Sequence, residues 1–281
     1  MFFPIIVTVT IITLLIGSYT DIKTREIPDW LSYALIFSAL GIRSIFSVSL
    51  GWDILLSGIL GFAVCFLFAY LFYYTNQWGG GDAKLLMGMG AMIGIIYPFT
   101  PESFNLLIFF LALLFLGAIY GLIWMIVLAI KNKLFWLEFK KAIKENHKLH
   151  LGLIIFCLLL IVPIIFSPFL LPLIIFPLGI FYLFMFINTV EKSCFIKRIH
   201  INDLTPGDWL AEDVKHNHKV ILEKKTLEDE DLNKLKDLHS SGKLSKVLVK
   251  EGIPFIPSFL FAYLFLIFGK NVWNWFYGLL F

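Results

Sequence analysis

The sequence predicts an all-α polytopic membrane protein, with six to eight transmembrane helices and a small cytoplasmic α+β insert. Of its 281 residues, 59% are apolar and only 15% are charged. The charges are concentrated, because residues 191–253 hold 24 of the 43 charged side chains. A soluble domain cannot bury so much apolar surface, and a disordered chain would not carry it. Ordinary soluble enzymes, nucleic-acid binders and disulfide-rich secreted scaffolds are therefore disfavoured.

The apolar frame divides into segments of nearly membrane-spanning length. A helix needs about 20 apolar residues to cross a bilayer. Eight segments reach or approach that length: Phe2–Tyr19, Trp30–Phe46, Ile54–Tyr74, Leu85–Tyr97, Phe104–Ile130, Leu151–Phe166, Phe169–Ile187 and Phe255–Phe281. The fourth is short. Prolines in the sixth and seventh leave open whether they cross fully or form a re-entrant hairpin.

The polar insert shows the pattern of a small α+β domain. Residues 219–223 and 246–250 read as short strands. Between them, residues 226–229 resemble a capping box with Thr226 as its first member, opening a helix that ends near 240–242. We therefore expect five parts: a catalytic transmembrane core (1–130), a basic cytoplasmic connector (131–150), a transmembrane or re-entrant hairpin (151–190), the soluble domain (191–253) and a last transmembrane helix (254–281).

The distribution of positive charge predicts the orientation in the membrane. Cytoplasmic loops carry an excess of Lys and Arg. If each segment crosses the membrane, every second connection lies on the same side. On that assumption, 21 of the 23 basic residues lie on one side, and Arg43 and Lys270 lie on the other. We expect a multi-pass protein of the cell membrane with both termini outside and the polar insert in the cytoplasm.

Two acidic residues, Asp21 and Asp82, stand at the predicted cytoplasmic boundary. Asp21 follows the first span, and Asp82 follows the third span after three glycines, residues 79–81. Charges at such positions are costly and are often retained for function. Glycines allow backbone torsions and close approaches that other residues forbid. A helix cap and a flexible hinge are the simpler alternatives for the acid and for the glycines.

Two carboxyl groups brought together would support one chemistry. They share a proton, because both cannot ionise easily at short distance. The ionised member takes a proton from water, and the neutral member donates to the scissile carbonyl, as in aspartyl proteases. This reaction needs no metal and no cofactor.

Both segments resemble the motifs of a known family. Gly79-Gly-Gly81-Asp82, followed by Lys84, is similar to the GxGD motif of the type IV prepilin and preflagellin (archaellin) peptidases, which are membrane aspartyl proteases. The segment from Asp21 to Pro28 is similar to their other catalytic segment. The resemblance covers residues 1–130 in motif and topology, and the remainder fits the archaeal branch more loosely.

The resemblance implies a membrane endopeptidase that removes the short basic leader of prepilins or preflagellins on the cytoplasmic side. Asp21 and Asp82 would be the catalytic dyad. The other motif residues would support it: Gly79, Gly81, Lys84, Lys23, Arg25, Ile27 and Pro28. For the three basic residues, a role as inside-positive anchors is equally consistent with the sequence. The bacterial four-Cys loop and amino-methylating region are missing, so we expect cleavage without N-methylation.

The expected partners are the precursor proteins and the lipid bilayer, with no nucleic acid. Two other readings stay open. In a proton-coupled transporter the carboxylates would form a proton relay, although no internal repeat is visible. In a non-catalytic pilus-assembly membrane subunit the acids would have no chemical task.

Overall fold

Long apolar helices dominate the protein. The computed structural model describes residues 1–75, 77–216, 219–242 and 244–280. Within these ranges, five helices are long and apolar enough to cross a bilayer, and two shorter ones are apolar, over His147–Ile161 and Ile256–Gly269. The prediction of an all-α polytopic membrane protein with a small α+β insert is confirmed. The exact number of crossings stays a prediction.

The helices in chain order are α1 Phe2–Thr24, α2 Asp29–Leu50, α3 Asp53–Tyr74, α4 Gly80–Ile93, α5 Asn105–Lys131, α6 Lys133–Glu145, α7 His147–Phe166, α8 Pro172–Val190, α9 Asp229–Ser240 and α10 Ile256–Leu280. They fall into two compact units. The first comprises Met1–Leu122 and Ile253–Phe281, and the second comprises Ile123–Gly252.

Helix α4 is the centre of the first unit and packs against α2 and α3. It begins earlier and ends earlier than the fourth predicted segment. Its end is set by Gly94, whose φ of 75° favours glycine just after a helix. Close approach to α3 depends on Gly61 and Gly90, because a Cβ on either would meet the carbonyl oxygen of the other far inside van der Waals contact.

Arg43 fixes the C-terminal end of α4 from inside the bundle. Its side chain is 4% exposed. It donates hydrogen bonds to the carbonyls of Ala91, Met92 and Ile93, at 2.8, 2.7 and 3.1 Å. It also donates to the hydroxyl of Ser57, at 2.6 Å. These are the last carbonyls of α4, which have no partner within the helix. Counting Arg43 as a loop charge was wrong, because it lies within α2 and is buried.

Helices α1, α5 and α10 complete the first unit. Helix α1 packs against α10 and α2. Phe109 of α5 and Phe259 of α10 are both fully buried, with ring centroids 6.3 Å apart. Gly117 of α5 lies against Phe255, since a Cβ there would come within 2.8 Å of that ring. The start of α10 is thus enclosed between α1 and α5.

The second unit contains α6, α7, α8 and the polar insert. Helix α6 is basic and amphipathic: Phe135 is buried, while Leu134, Leu137 and several lysines are exposed. The side chain of Asn132 caps this helix by accepting from the N–H of Leu134, at 3.0 Å. The same side chain donates to the carbonyl of Ser193, at 2.8 Å, and so ties α6 to the segment after α8.

The polar insert has its own small core. Its strands are β1 Ile196–His200, β2 Trp209–Leu210, β3 Val214–His216, β4 Lys219–Leu222 and β5 Lys246–Lys250. Strand β5 lies between β1 and β2, antiparallel to both, and β3 pairs with β4. Buried residues from these strands and from α9 form the core, including Leu210, Leu235 and Val249.

The helix of the insert begins later than the sequence suggests. Glu228 is its N-cap, and Asp231 completes the capping box by accepting from the Glu228 N–H, at 3.1 Å. The capping box predicted at Thr226 is wrong. Thr226 instead forms a β-bridge with Trp209, and Leu227 exchanges two backbone hydrogen bonds with residues 207 and 208. These bonds keep the chain extended until Glu228.

Candidate active site

Asp21 lies within α1, near its end. The helix continues to Thr24, so Asp21 is a helical residue and does not lie in a loop. The residue is only 6% exposed. The helix stops at Arg25, which adopts a left-handed φ of 62° and donates its N–H to the carbonyl of Asp21, at 3.0 Å. A side chain in this conformation costs about 1–2 kcal/mol, so the surrounding structure must hold the turn in place.

The carboxylate of Asp21 is bound by the start of another helix. Its Oδ2 accepts a buried hydrogen bond from the backbone N–H of Ile256, the first residue of α10, at 2.8 Å. The two residues are 235 positions apart in the chain. The guanidinium of Arg25 also interacts favourably with this carboxylate. These contacts stabilise the charged form of Asp21 against the cost of its burial.

Asp82 lies in the first turn of α4, behind a glycine N-cap. Gly79 is the N-cap, with φ of −70°, and Asp82 is the third residue of the helix proper. Its carboxylate interacts with the backbone of Gly79, as an acid at this position of a helix commonly does.

The carboxyl groups of the two motifs interact through their charges. The negative charge of Asp21 disfavours that of Asp82. They come from the end of α1 and the start of α4, and no local sequence feature predicts this interaction. Carboxyl groups are among the side chains that general acid–base catalysis uses.

The three glycines of the motif, Gly79, Gly80 and Gly81, differ in how tightly their surroundings pack on them. The expectation that they supply unusual backbone torsions is wrong, because none of them has a positive φ. A Cβ on Gly81 would lie 3.0–3.3 Å from the side chain of Ile27. Cβ atoms on Gly79 and Gly80 would meet their nearest neighbours at 3.6 Å, which is ordinary contact. Of the three, Gly81 has the tightest surroundings, and its packing on Ile27 joins the two motifs.

Other motif residues connect the helices that carry the two acids. Lys84 forms an ion pair with Asp29 at the start of α2, at 2.6 Å, and lies over the ring of Tyr33. Pro28 is the N-cap of α2, and its carbonyl accepts from the N–H of Leu31. These contacts fix the turn between α1 and α2 against α4.

Lys23 is exposed and lies over the ring of Tyr19 on its own helix, with its Nζ 5.7 Å from the centroid. Among the basic residues of the first motif, Arg25 is the one that interacts with Asp21. The distinction was not visible in the sequence, where both residues are basic and near the predicted interface.

Two features of the site were missed by sequence reasoning. One is the start of α10, which supplies the hydrogen bond to Asp21. The other is Trp78, whose ring packs on Phe72, Phe255 and Phe259 at centroid distances of 4.9, 5.5 and 5.7 Å. This aromatic cluster joins the loop before Asp82 to the helix that binds Asp21. For the start of α10, the available signal was the sequence Gly-Ile-Pro-Phe-Ile-Pro at 252–257, whose prolines mark the boundary before the last span.

Comparison with known proteins finds a family match that spans both motifs. Residues 8–142 match the model of the type IV leader peptidase family. The match covers just under half of the chain and includes both acids and every supporting residue of the two motifs. The resemblance inferred from the motifs is confirmed for this part of the chain.

Three archaeal preflagellin peptidases are among the curated proteins that this chain resembles. The chain is 37% identical over 82 residues to the enzyme of Methanococcus maripaludis, 40% over 81 residues to that of Methanococcus voltae, and 37% over 83 residues to that of Methanocaldococcus jannaschii. These alignments cover 28–29% of this chain and 34–35% of each relative. The chain thus spans about a third of the length of the curated relatives it matches.

Proposed function

We propose that this protein is a membrane aspartyl endopeptidase that removes the short basic leader of preflagellin or type IV prepilin-like precursors. The observation that carries the proposal is the electrostatic interaction between Asp21, which is buried, and Asp82, the acids of two separate motifs. The family match over residues 8–142 and the preflagellin peptidase relatives support the substrate class.

The proposed reaction uses the two carboxyl groups and water. One ionised carboxylate removes a proton from water, and the resulting hydroxide attacks the scissile carbonyl while the neutral carboxyl group protonates the carbonyl oxygen. Transfer of the first proton to the leaving nitrogen then breaks the C–N bond. No side chain becomes covalently attached to the substrate, and no metal or cofactor is needed.

We also propose that cleavage occurs on the cytoplasmic side and is not followed by N-methylation. Asp21, Asp82 and the basic segments share one predicted face of the membrane, and the positive-inside rule places that face in the cytoplasm. A short basic leader would remain there, while the hydrophobic segment of the precursor lies in the bilayer beside the apolar helices.

The test is leader removal in membranes that contain the protein and a preflagellin precursor. Asp21→Asn and Asp82→Asn should each abolish cleavage while the variants insert at wild-type levels, since either change removes one member of the acid–base pair. Asp53→Asn, at the start of α3 and exposed, is the matched control and should cleave normally. Full cleavage by either dyad variant would contradict the proposal.

Mass spectrometry of the cleaved precursor tests whether N-methylation follows cleavage. It should show a mature N-terminus without added methyl mass. A methylated product would overturn the last part of the proposal alone. Proton-coupled uptake without cleavage would favour the transporter, and inactivity in both assays would favour the assembly subunit.

A further inference from the structure

The two acids of the site have different partners. The carboxylate of Asp21 accepts a buried N–H bond from Ile256, and Arg25 attracts it. Asp82 interacts with the Gly79 backbone and is repelled by Asp21. The nearest lysine in sequence, Lys84, is paired with Asp29 instead. The environments therefore favour different protonation states.

The start of a helix stabilises an anion for two reasons. Its first N–H groups have no partner within the helix, and its dipole places partial positive charge there. Ile256 presents such an N–H to Asp21 from a buried position, where Ile256 itself is 0% exposed. Asp82 also lies at a helix start, that of α4, but that helix is its own.

We propose that the Ile256 N–H holds Asp21 as the ionised carboxylate that activates water, and that Asp82 carries the shared proton and donates it to the scissile carbonyl. This inference rests on the proposed function and assigns the two roles within it. The start of α10, contributed by a segment more than 170 residues after Asp82, is thus a positioning element of the site.

The proton balance of the reaction follows from this assignment. Asp21 takes a proton from water, the hydroxide forms the new C–O bond, and the proton of Asp82 moves to the carbonyl oxygen. Asp21 then gives its proton to the leaving nitrogen, and one hydroxyl of the diol returns a proton to Asp82 as the C–N bond breaks. Both acids end in their starting states.

Other titratable groups around Asp21 are few. Asp82 of α4 repels its negative charge, Arg25 at the end of α1 attracts it, and the phenol of Tyr120 on α5 interacts with it. The α10 segment from Phe255 to Phe259 contributes no ionisable side chain. Backbone hydrogen bonds are therefore what this segment contributes: the one from Ile256, at 2.8 Å, and a weaker one from Phe255, the residue before α10.

Ile256→Pro tests the inference directly. Proline lacks the N–H and is tolerated at the first position of a helix. The matched control is Ile256→Ala, which keeps the N–H and removes more side-chain volume than proline does. In leader-cleavage assays across pH, the acidic limb of the rate profile should move to higher pH by about one to two units in Ile256→Pro, because a hydrogen bond to a charged group is lost. It should stay in place in Ile256→Ala.

We expect kcat to change in Ile256→Pro but not in Ile256→Ala. At neutral pH, Ile256→Pro should lower kcat about tenfold or more with KM nearly unchanged, since the N–H touches Asp21 and not the substrate. An acidic limb that coincides in the two variants would overturn the inference. If the wild-type protein cleaves no leader at all, the proposed function fails instead.

Infrared spectroscopy gives a second measurement that needs neither Ile256 variant. The wild-type protein in detergent at neutral pH should show the carbonyl band of a protonated, buried carboxyl group, and Asp82→Asn should lose this band. A band that persists in Asp82→Asn and disappears in Asp21→Asn would reverse the roles and overturn the inference.

Discussion

Replacement of Arg43 by Met should destabilise α4 and reduce cleavage, although Arg43 lies far from the acids. Asp82 is ten residues before Met92, so the two ends of α4 are about 15 Å apart at 1.5 Å per residue. Met keeps the length and much of the volume of the side chain but removes all its donors. The carbonyls of Ala91, Met92 and Ile93 would then be buried without these hydrogen bonds.

The magnitude follows from those lost bonds. A buried acceptor left without a partner costs about 1–3 kcal/mol. Three such carbonyls do not add fully, because the end of the helix relaxes and neighbouring losses are coupled. We expect the free energy of unfolding to fall by about 3–5 kcal/mol. Arg43→Lys should recover part of this, since an ammonium retains three donors but lacks the planar fork that reaches several carbonyls.

The assay is unfolding of the purified protein in detergent, combined with leader cleavage in membranes. The stability should fall in the order wild type, Arg43→Lys, Arg43→Met, and cleavage should follow the same order. The exposed Lys131→Met is the control and should change stability by less than about 0.5 kcal/mol. The reasoning is refuted if Arg43→Met lies within about 1 kcal/mol of the wild type.

Two further predictions concern the glycine motif and the insert. Gly81→Val should abolish cleavage because the new side chain would overlap Ile27. Gly80→Ala should cleave at close to the wild-type rate, since its Cβ would meet only ordinary contacts. Equal activity of the two variants in membranes would contradict the steric argument. In the insert, the ion pair with Lys225 at 2.7 Å lowers the pKa of Asp231 below its ordinary value of 3.8. This pair therefore stabilises the insert above pH 3.8, and the stability is lost as the pH falls through the lowered pKa. Hydrogen exchange of 229–240 should lose protection in acid, Asp231→Asn should flatten that dependence, and an unchanged profile would exclude this origin.

Much of the architecture could be predicted because apolar length and charge placement are properties of the chain itself. The first three helices lie within a few residues of the predicted segments, although α1 extends past Asp21. The start of α4 was misplaced because Gly79 to Asp82 look like a loop in sequence, while the structure uses Gly80 and Gly81 as helical residues. The capping box at Thr226 failed for a related reason: pairing with Trp209 outweighed a local capping signal.

The contacts that complete the site could not be predicted in this way. Arg43 looked like a loop charge, because a sequence pattern does not show which helix ends lie within reach of a guanidinium. The hydrogen bond from Ile256 to Asp21 joins the two ends of the chain, and a backbone N–H leaves no trace in residue identity. The clash that reserves position 81 for glycine arises only where Ile27 packs on it.

The sequence by itself determined that the protein is a polytopic membrane protein with a polar insert, and it singled out Asp21 and Asp82. It did so because hydrophobic length, charge scarcity and short motifs are local quantities. Only the tertiary structure decided that the charges of the two acids interact, that α10 begins at Asp21 and that Arg43 secures the far end of α4. These depend on how helices pack, and packing joins groups that the linear order of the chain keeps far apart.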